Sequence, residues 1–210
     1  MTGSAKARRY PRPGALLLAP GAGSSRDHPT SLAVEAAVAP LPVGRLDFPY
    51  RKAGRRAPDR PPVLLATVRD EAAALVAEAG VRPNQLALGG RSMGGRMCSM
   101  AVADGLPACR LVLLSYPLHP PGKPDTLRIE HLPSIRVPTL VLSGTSDPFG
   151  TPDELRDHLD VIDAPVTYVW VEGAGHDWKG RDEQVAAAVA AWLKGRAVPE
   201  VLPRPARRRG

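Results

Sequence analysis

Gly90-Arg91-Ser92-Met93-Gly94 is the most informative segment of this chain. It follows Gln85–Leu88, a short apolar run that predicts a β-strand, and it leads into Met93–Asp104, which predicts an α-helix. A serine between two glycines at such a turn sits on a tight bend that presents its hydroxyl at the carboxyl edge of a sheet. Because a free serine hydroxyl is a poor nucleophile, the turn indicates chemistry only if a base and an acid occur elsewhere.

Short apolar runs alternate with helical patterns along the rest of the chain. The other predicted strands are Ala15–Ala19, Val43–Phe48, Leu111–Leu114, Thr139–Leu142 and Val166–Val171. The predicted helices include Pro62–Ala79, a helix that begins after Thr151, and Asp182–Lys194, whereas the proline-rich segment Tyr116–Val137 predicts an extended surface loop. This alternation predicts an α/β fold with a mostly parallel, doubly wound sheet of six strands or slightly more.

Length and charge predict one domain with two basic tails. The 210 residues carry a formal net charge of +7. The positive excess lies at the two ends of the chain, and the body between them is close to neutral. The basic residues at the ends are Lys6, Arg8, Arg9, Arg12, Arg196, Arg204, Arg207, Arg208 and Arg209. We therefore predict a domain over residues 14–195, flanked by flexible basic tails at 1–13 and 196–210.

Cysteine content and apolar runs indicate a soluble protein of a reducing, cytoplasmic compartment. The two cysteines, Cys98 and Cys109, lack the spacing of metal ligands. The apolar run Ala15–Ala19 is too short for a signal peptide and is closed by Pro20, and no run approaches the roughly 20 residues of a membrane span. The basic tails lack interleaved aromatic residues, so we expect no specific binding of nucleic acid and no association with a membrane.

A candidate acid and a candidate base leave later strands of the same predicted sheet. Asp147 follows the strand Thr139–Leu142, and His176 follows the strand Val166–Val171. The carboxyl ends of parallel strands share one edge, so both side chains are expected near Ser92. His176 would then take the serine proton, and Asp147 would orient the imidazole, a mechanism that needs no cofactor and no metal.

Asp153 and Asp177 are alternative acids. Asp153 also fits the electrostatics of a helix N-terminus, and Asp177 adjoins His176 closely in sequence. We favour Asp147 because it lies in the loop after a strand.

Two groups of backbone amides are candidates for stabilising a developing oxyanion. Met93 follows the serine and supplies one amide. The second is expected from the turn at residues 20–23, which ends the first strand, with Ala22 or Gly23 as the donor. The sequence therefore predicts an oxyanion hole between the first strand and the serine turn.

The chain resembles the α/β-hydrolase superfamily, in which the nucleophile, the acid and the histidine follow one another in this order. The residues that carry the resemblance are Gly90-Arg91-Ser92-Met93-Gly94-Gly95-Arg96, Asp147-Pro148-Phe149-Gly150 and Gly175-His176. More narrowly, the chain is similar to the small lidless dienelactone-hydrolase-like group that includes the testis-expressed and chromatin-complex KANL/TEX-type proteins. The resemblance implies a minimal hydrolase fold without a cap domain. Because dienelactone hydrolase itself uses a cysteine nucleophile, its substrate is not carried over to a chain with Ser92.

Four residues near the predicted carboxyl edge are candidates for substrate binding. Arg51 begins a basic loop with Lys52, Arg55 and Arg56, which is a candidate for binding a carboxylate or phosphate of the substrate. Arg91 adjoins the serine and is a candidate to join this loop in binding the anion. His28 and His119 also leave strands on this edge and are candidate pocket residues. The alternative is that these are ordinary solvated or polar loop residues.

The leading functional expectation is a serine hydrolase that cleaves a small ester or thioester through an acyl-enzyme on Ser92. One alternative is a hydrolase fold that acts as a non-catalytic binding or scaffold protein. A third reading makes the basic tails a nucleic-acid tether.

Overall fold

A seven-stranded parallel β-sheet forms the centre of the protein. The computed structural model describes residues 9–204, so residues 1–8 and 205–210, which belong to the predicted tails at 1–13 and 196–210, lie outside the described residues. The spatial order of the strands is β2-β1-β3-β4-β5-β6-β7, and every neighbouring pair is parallel. The strands are β1 (Ala15–Ala19), β2 (Val43–Arg45), β3 (Leu86–Arg91), β4 (Arg110–Leu114), β5 (Thr139–Gly144), β6 (Val166–Val171) and β7 (Val201–Leu202). The predicted fold class is confirmed.

Within residues 9–204, six α-helices connect or flank the strands. They are α1 (Pro29–Val38), α2 (Pro49–Lys52), α3 (Pro61–Glu78), α4 (Met93–Ala103), α5 (Pro152–Leu159) and α6 (Asp182–Leu193). Four of them have proline at the first position, where a helix needs no amide donor. The predicted start of α5 is confirmed, because the Thr151 amide donates to the Glu154 carboxylate over 2.8 Å and the Thr151 hydroxyl accepts from the Glu154 amide.

Alternation of side chains along the strands creates two apolar cores, one on each face of the sheet. In β1, Leu17 packs in the core formed with α3, α4 and α5. Its neighbours Leu16 and Leu18 point to the other face and pack with α1 and α6. The sheet is therefore doubly wound, as the sequence predicts.

Four strands differ in length from their predictions: β4 begins one residue earlier at Arg110, β5 ends two residues later at Gly144, and β2 and β3 end elsewhere than predicted. β2 ends at Arg45 rather than Phe48, because the chain turns away from the sheet into the helix that begins at Pro49. β3 continues past its predicted end to Arg91, because the glycines that precede Arg91 still pair with β1.

The strand β7 lies in the segment that the sequence assigns to the C-terminal tail. The Glu172 amide donates to the Leu202 carbonyl over 3.1 Å, which joins β7 to the end of β6. The buried guanidinium of Arg181 donates to the carbonyl oxygens of Leu202 (2.9 Å) and Pro203 (2.7 Å). At residues 201–202 the structure thus differs from the predicted flexible tail, since tertiary hydrogen bonds hold a segment whose composition resembles a solvated one.

The proline-rich segment Tyr116–Val137 is largely irregular, as predicted, but it is anchored in the core. It contains a short 3₁₀ turn at Leu132–Ser134, and Tyr116 is fully buried. His131 ties the segment to α4, since its Nε2 atom lies 2.7 Å from the Ser99 hydroxyl.

We expect Gly90→Ala to lower the free energy of unfolding by about 1–3 kcal/mol, the usual cost of extra volume in a packed interior. The new Cβ would lie 2.5 Å from the Ala19 carbonyl oxygen and 2.7 Å from the Gly94 carbonyl carbon, and no side-chain rotation can relieve contacts with backbone. Urea denaturation measures the change. The matched control is Gly23→Ala, whose Cβ would have no heavy atom within 4 Å. Equal stability of the two variants would contradict this packing.

The pH dependence of stability tests the burial of His131. Burial, assisted by the charge of Arg96 and opposed by Glu130, lowers the pKa of His131 from 6.5 to about 4. The folded protein therefore binds fewer protons than the unfolded chain, and this contribution to stability is full above pH 6.5 and lost as the pH falls toward about 4. We expect the free energy of unfolding to decline less steeply in His131→Gln than in the wild type across this interval. If the free energy of unfolding changed with pH equally in the wild type and in His131→Gln, the burial of a neutral His131 would be contradicted.

Candidate active site

Ser92 occupies a strained turn between β3 and α4. Its backbone has φ 50° and ψ −119°, a conformation that a residue with a side chain rarely adopts without support from its surroundings. The Ser92 amide donates to the Leu114 carbonyl of β4 over 2.8 Å. At Gly94 an added Cβ would collide with the Ala19 carbonyl. Glycine is therefore needed at positions 90 and 94 because a side chain at either position would collide with the end of β1. The sequence predicts this for a tight turn between a strand and a helix.

Ser92, His176 and Asp147 form a continuous hydrogen-bonded array. His176 Nε2 lies 2.9 Å from Ser92 Oγ, and His176 Nδ1 lies 2.9 Å and 3.0 Å from the two carboxylate oxygens of Asp147. Because an ionised carboxylate only accepts, Nδ1 carries the proton. Nε2 is then free to accept the proton of the serine hydroxyl.

Buried polar contacts hold Asp147 in place. Its side chain is fully buried, whereas the His176 side chain is 21% exposed. The Phe149 amide donates to Asp147 Oδ1 over 2.9 Å, and the Ser143 hydroxyl donates to Oδ2 over 3.3 Å. Gly144 lets this loop pass directly against the histidine loop, because a Cβ there would strike the carbonyl oxygens of residues 174 and 175. These contacts satisfy a carboxylate that would otherwise be costly to bury.

Neither alternative acid takes this position. Asp177 is largely exposed and lies 3.6 Å from Arg91 rather than against the imidazole. Asp153 lies in the first turn of α5. Of the three candidates, the structure brings Asp147 to His176.

The main-chain carbonyl of His176 is held by two side chains from neighbouring strands. Arg91 Nη2 donates to it over 2.7 Å, and the Ser115 hydroxyl donates over 3.2 Å. Arg91, predicted as a substrate-binding residue, thus directs its guanidinium at the histidine loop. Burial lowers the pKa of Arg91, and Asp177 opposes that effect. Ser115 was not predicted, although its position directly after β4 is a signal of the same kind that identified Asp147.

Phe149 is a second residue that the sequence did not single out. Its ring centroid lies 4.1 Å from that of His176, with an angle of 32° between the rings. The Phe149 ring, which belongs to the Asp147 loop, therefore limits the movement of the His176 imidazole.

The candidate oxyanion donors face the serine from two elements. Met93 is the first residue of α4, and the turn at residues 20–23 lies so near that a Cβ on Gly21 would be 3.6 Å from the Ser92 Cβ. The Tyr50 hydroxyl donates to the Ala22 carbonyl over 2.7 Å and fixes the turn. In the described part of the chain, the amides of Ala22, Gly23 and Met93 donate to no protein acceptor. They are available to a ligand.

The remaining predicted site residues are distributed unevenly around this centre. His28 caps α1, accepting from the Thr30 amide over 3.2 Å, and burial together with nearby Arg91 lowers its pKa. His119 is 6% exposed, its Nδ1 lies 2.9 Å from the Pro120 carbonyl, and its amide donates to Phe149. His119 therefore lies against the Asp147 loop, and its Nε2 atom lies 3.5 Å from a carboxylate oxygen of Glu154.

The basic loop after β2 is only partly free to bind an anion. Lys52 pairs with Glu71 over 3.3 Å, and Arg55 pairs with Asp59 over 2.7 Å. Arg51 makes no ion pair with any carboxylate of residues 9–204. Its binding of a substrate stays a prediction.

Neither a metal cluster nor a membrane span is found in the described ranges. No group of three His, Cys, Asp or Glu side chains within residues 9–204 is arranged to hold a metal ion. Over the same range, the helices lack the combination of length and hydropathy needed to cross a bilayer.

A serine, a histidine and a buried acid at the carboxyl edge of a doubly wound parallel sheet define a protein of the hydrolase type. Residues 12–194 match the family model of the alpha/beta hydrolase domain, and the chain belongs to this family of hydrolases. The similarity to the lidless, dienelactone-hydrolase-like group is confirmed, since the described fold has no cap domain.

Solved structures of several hydrolases share this fold. Dienelactone hydrolase from Anabaena variabilis is 20% identical, with a TM-score of 0.69 over 88% of this chain and 87% of that chain. The type II thioesterase BorB from the borrelidin biosynthetic cluster is 22% identical, with a TM-score of 0.60 over 90% and 96% of the two chains. Est1E from Butyrivibrio proteoclasticus, solved with ferulic acid bound, is 16% identical, with a TM-score of 0.61 over 89% and 90%.

We expect Arg91→Ala to loosen the loop that carries His176. Loss of a charge-assisted hydrogen bond should raise the equilibrium constant for local opening of this loop by about tenfold or more. Hydrogen exchange of peptides covering residues 172–178, followed by mass spectrometry, measures this increase. The exchange rates of Arg91→Lys should lie between those of the wild type and those of Arg91→Ala. Arg26→Ala is the matched control because Arg26 is exposed. Wild-type exchange rates in Arg91→Ala would contradict the role of the guanidinium.

Proposed function

We propose that this protein is a serine hydrolase that cleaves a small ester or thioester through an acyl-enzyme on Ser92. The observation that carries the proposal is the hydrogen-bonded array from Ser92 Oγ to His176 Nε2 (2.9 Å) and from His176 Nδ1 to Asp147 (2.9 Å). Membership of the α/β-hydrolase family supports a hydrolytic reaction.

In the acylation step, Ser92 Oγ attacks the acyl carbon while His176 Nε2 takes the hydroxyl proton. The resulting imidazolium is stabilised by the carboxylate of Asp147. His176 then returns the proton to the departing alcohol or thiol, and the bond between the acyl carbon and the leaving group breaks. The product of this half-reaction is an ester between the acyl group and Ser92.

In the deacylation step, water replaces the serine hydroxyl as the nucleophile. His176 takes a proton from the water as it attacks the acyl carbon, and it then protonates Ser92 Oγ as the acyl-enzyme bond breaks. The acid product leaves and the array returns to its starting state.

The amides of Met93 and of Ala22 or Gly23 are the proposed donors to the oxyanion in both steps. Their lack of protein acceptors within residues 9–204 supports this role. Each such donor is typically worth about 3 kcal/mol of transition-state stabilisation. The Tyr50 contact with the Ala22 carbonyl keeps the turn in place before substrate binds.

Two observations support small esters or thioesters as substrates. The similar solved structures include proteins named as a dienelactone hydrolase and a type II thioesterase. No cap domain covers the carboxyl edge within the described ranges, so the serine is open to an acyl group from solvent.

We also propose a reducing, cytoplasmic location. Cys98 and Cys109 are free and buried, and burial raises the pKa of their thiols to about 12 and about 11. Such thiols are inert packing groups and form no disulfide in the described fold. Fractionation of the source cells tests the location, and recovery of the protein outside the cytoplasm would contradict it.

The decisive test is covalent labelling of Ser92. We expect a fluorophosphonate probe to label the wild type and not Ser92→Ala, because only the activated hydroxyl attacks phosphorus. Hydrolysis of a panel of p-nitrophenyl esters and thioesters should fall by about 10³-fold or more in the same variant. Intact mass spectrometry detects the labelling, and the release of p-nitrophenol or thiol measures the hydrolysis rates.

Ser134→Ala is the matched control, since it removes an exposed serine from the 3₁₀ turn. It should label and turn over at the wild-type rate. A folded wild-type protein that never labels and hydrolyses no member of the panel would overturn the proposal and would favour a binding role for the fold.

A further inference from the structure

The edge strand β2 directs part of its main chain away from the sheet. The Pro42 carbonyl accepts from β1 over 2.9 Å, and the Leu46 amide donates to β1 over 3.1 Å. Because the direction of main-chain groups alternates along a strand, Val43 and Arg45 direct their amides and carbonyls to the open side. Within residues 9–204, no protein group is hydrogen-bonded to them. An edge of this kind is a template for pairing with another strand.

The opposite edge of the sheet is protected. In β7 the Leu202 carbonyl accepts from β6, so Val201 and the following Pro203 face the open side. Pro203 has no amide to donate, and its carbonyl already accepts from Arg181 over 2.7 Å. β2 has valine and arginine at its outward positions, so the two edges differ in their capacity to pair with another strand.

The charge on the β2 edge is neutralised within the protein. A charged side chain on an edge strand usually discourages pairing. Arg45 is bound by Asp27 over 2.5 Å and by Glu35 over 2.6 Å, and both contacts hold its guanidinium against its own chain. Leu32 lies three residues before Glu35 on the same side of α1 and is 43% exposed. The open edge of β2 therefore lies beside an exposed apolar side chain rather than a free charge.

A groove along β2, on the side of α3, carries opposite charges at its two ends. Its volume is about 540 Å³. Arg26 lines the end near the carboxyl ends of the strands, whereas Glu78, the last residue of α3, lines the end near their amino ends. Neither forms an ion pair with another residue of 9–204, and Glu71 between them is paired with Lys52 over 3.3 Å. A two-fold rotation would bring the opposite ends of two such grooves together.

We propose that two copies of this chain associate by antiparallel pairing of their β2 strands across a two-fold axis at Gly44. Val43 of each copy then lies opposite Arg45 of the second copy, and each of these pairs exchanges both of its main-chain hydrogen bonds. Gly44 forms the central, non-hydrogen-bonded pair, in which the two Cα atoms approach to about 4.5 Å. The lack of a side chain at this position leaves room for that approach.

The same arrangement joins the charged ends of the grooves. The carboxyl end of one β2 lies beside the amino end of the other, so Arg26 of each copy approaches Glu78 of the second copy. Symmetry makes both contacts equivalent and closes the assembly at two subunits. The carboxyl edges of the two sheets point in opposite directions, which leaves both Ser92 turns open. The dimer therefore goes beyond the proposed function and does not depend on it.

Sedimentation equilibrium of the full chain tests the association over a concentration series that reaches about 1 mM. We expect the mass to rise with concentration from 22.3 kDa to twice that value. Val43→Pro removes an outward amide from an edge strand, where proline is tolerated in the folded chain. It should raise the dissociation constant of the dimer by about tenfold or more, because each dimer loses a hydrogen bond on both sides of the axis.

Val201→Pro is the matched control, since it makes the same change at an outward position of β7. It should dimerise as the wild type does. Urea denaturation shows whether each proline variant is folded. A dimer that survives Val43→Pro in the folded state, or that only Val201→Pro disrupts, would overturn the β2 interface.

An exchange of charges tests the interface without altering the strand. Glu78→Arg and Arg26→Glu should each raise the dissociation constant by about tenfold, because each brings like charges together at both ends of the interface. The double variant restores opposite charges and should return to within about threefold of the wild-type constant. Glu130→Arg, at an exposed glutamate of the proline-rich segment, is the control and should have no effect. Single variants that dimerise normally, or a double variant as weak as either of them, would contradict the pairing.

A chain that remains at 22.3 kDa throughout the series would overturn the proposal. Hydrogen exchange of the Val43 and Arg45 amides then identifies the cause. Protection in that monomer would show that another segment of the chain covers this edge, whereas rapid exchange would show that water does. Fluorophosphonate labelling of Ser92 decides the hydrolase proposal independently in every case.

Discussion

The close packing of backbone against backbone at the end of β1 is the constraint on which the rest of the site depends. The Ala19 carbonyl leaves no room for a Cβ at Gly90 or Gly94. With glycine at both positions, β3 passes directly into α4, and Ser92 takes a conformation that presents its hydroxyl at the carboxyl edge. The same contact brings the turn at residues 20–23 beside the serine, so Ser92 and the candidate oxyanion donors are positioned together.

A single carbonyl oxygen links the histidine loop to β3, the strand that leads into the serine turn, and to the end of the neighbouring strand β4. Arg91 at the end of β3 and Ser115 after β4 both donate to the carbonyl of His176. Asp147 and Phe149 hold the imidazole from the side of β5. The loop after β6 is thus fixed by the ends of three neighbouring strands. For the proposed hydrolysis this matters because a displacement of about 1 Å is enough to slow an enzymatic reaction substantially.

Charge is compensated unevenly around the centre. The buried carboxylate of Asp147 accepts from an imidazole, an amide and a hydroxyl, which offset the loss of its hydration. Arg96 Nε, by contrast, is buried without a hydrogen-bond partner among the described residues.

Local patterns in the sequence determined the fold class, the strand-to-helix elbow and the order of Ser92, Asp147 and His176. They did so because strand pleat, helical period and glycine geometry depend on near neighbours in the chain. The edge strand at residues 201–202 is too short to show alternation and is held by the distant Arg181. The direction of a long side chain likewise depends on what packs around it, so the contact of Arg91 with the histidine loop follows from the folded structure and not from the local sequence.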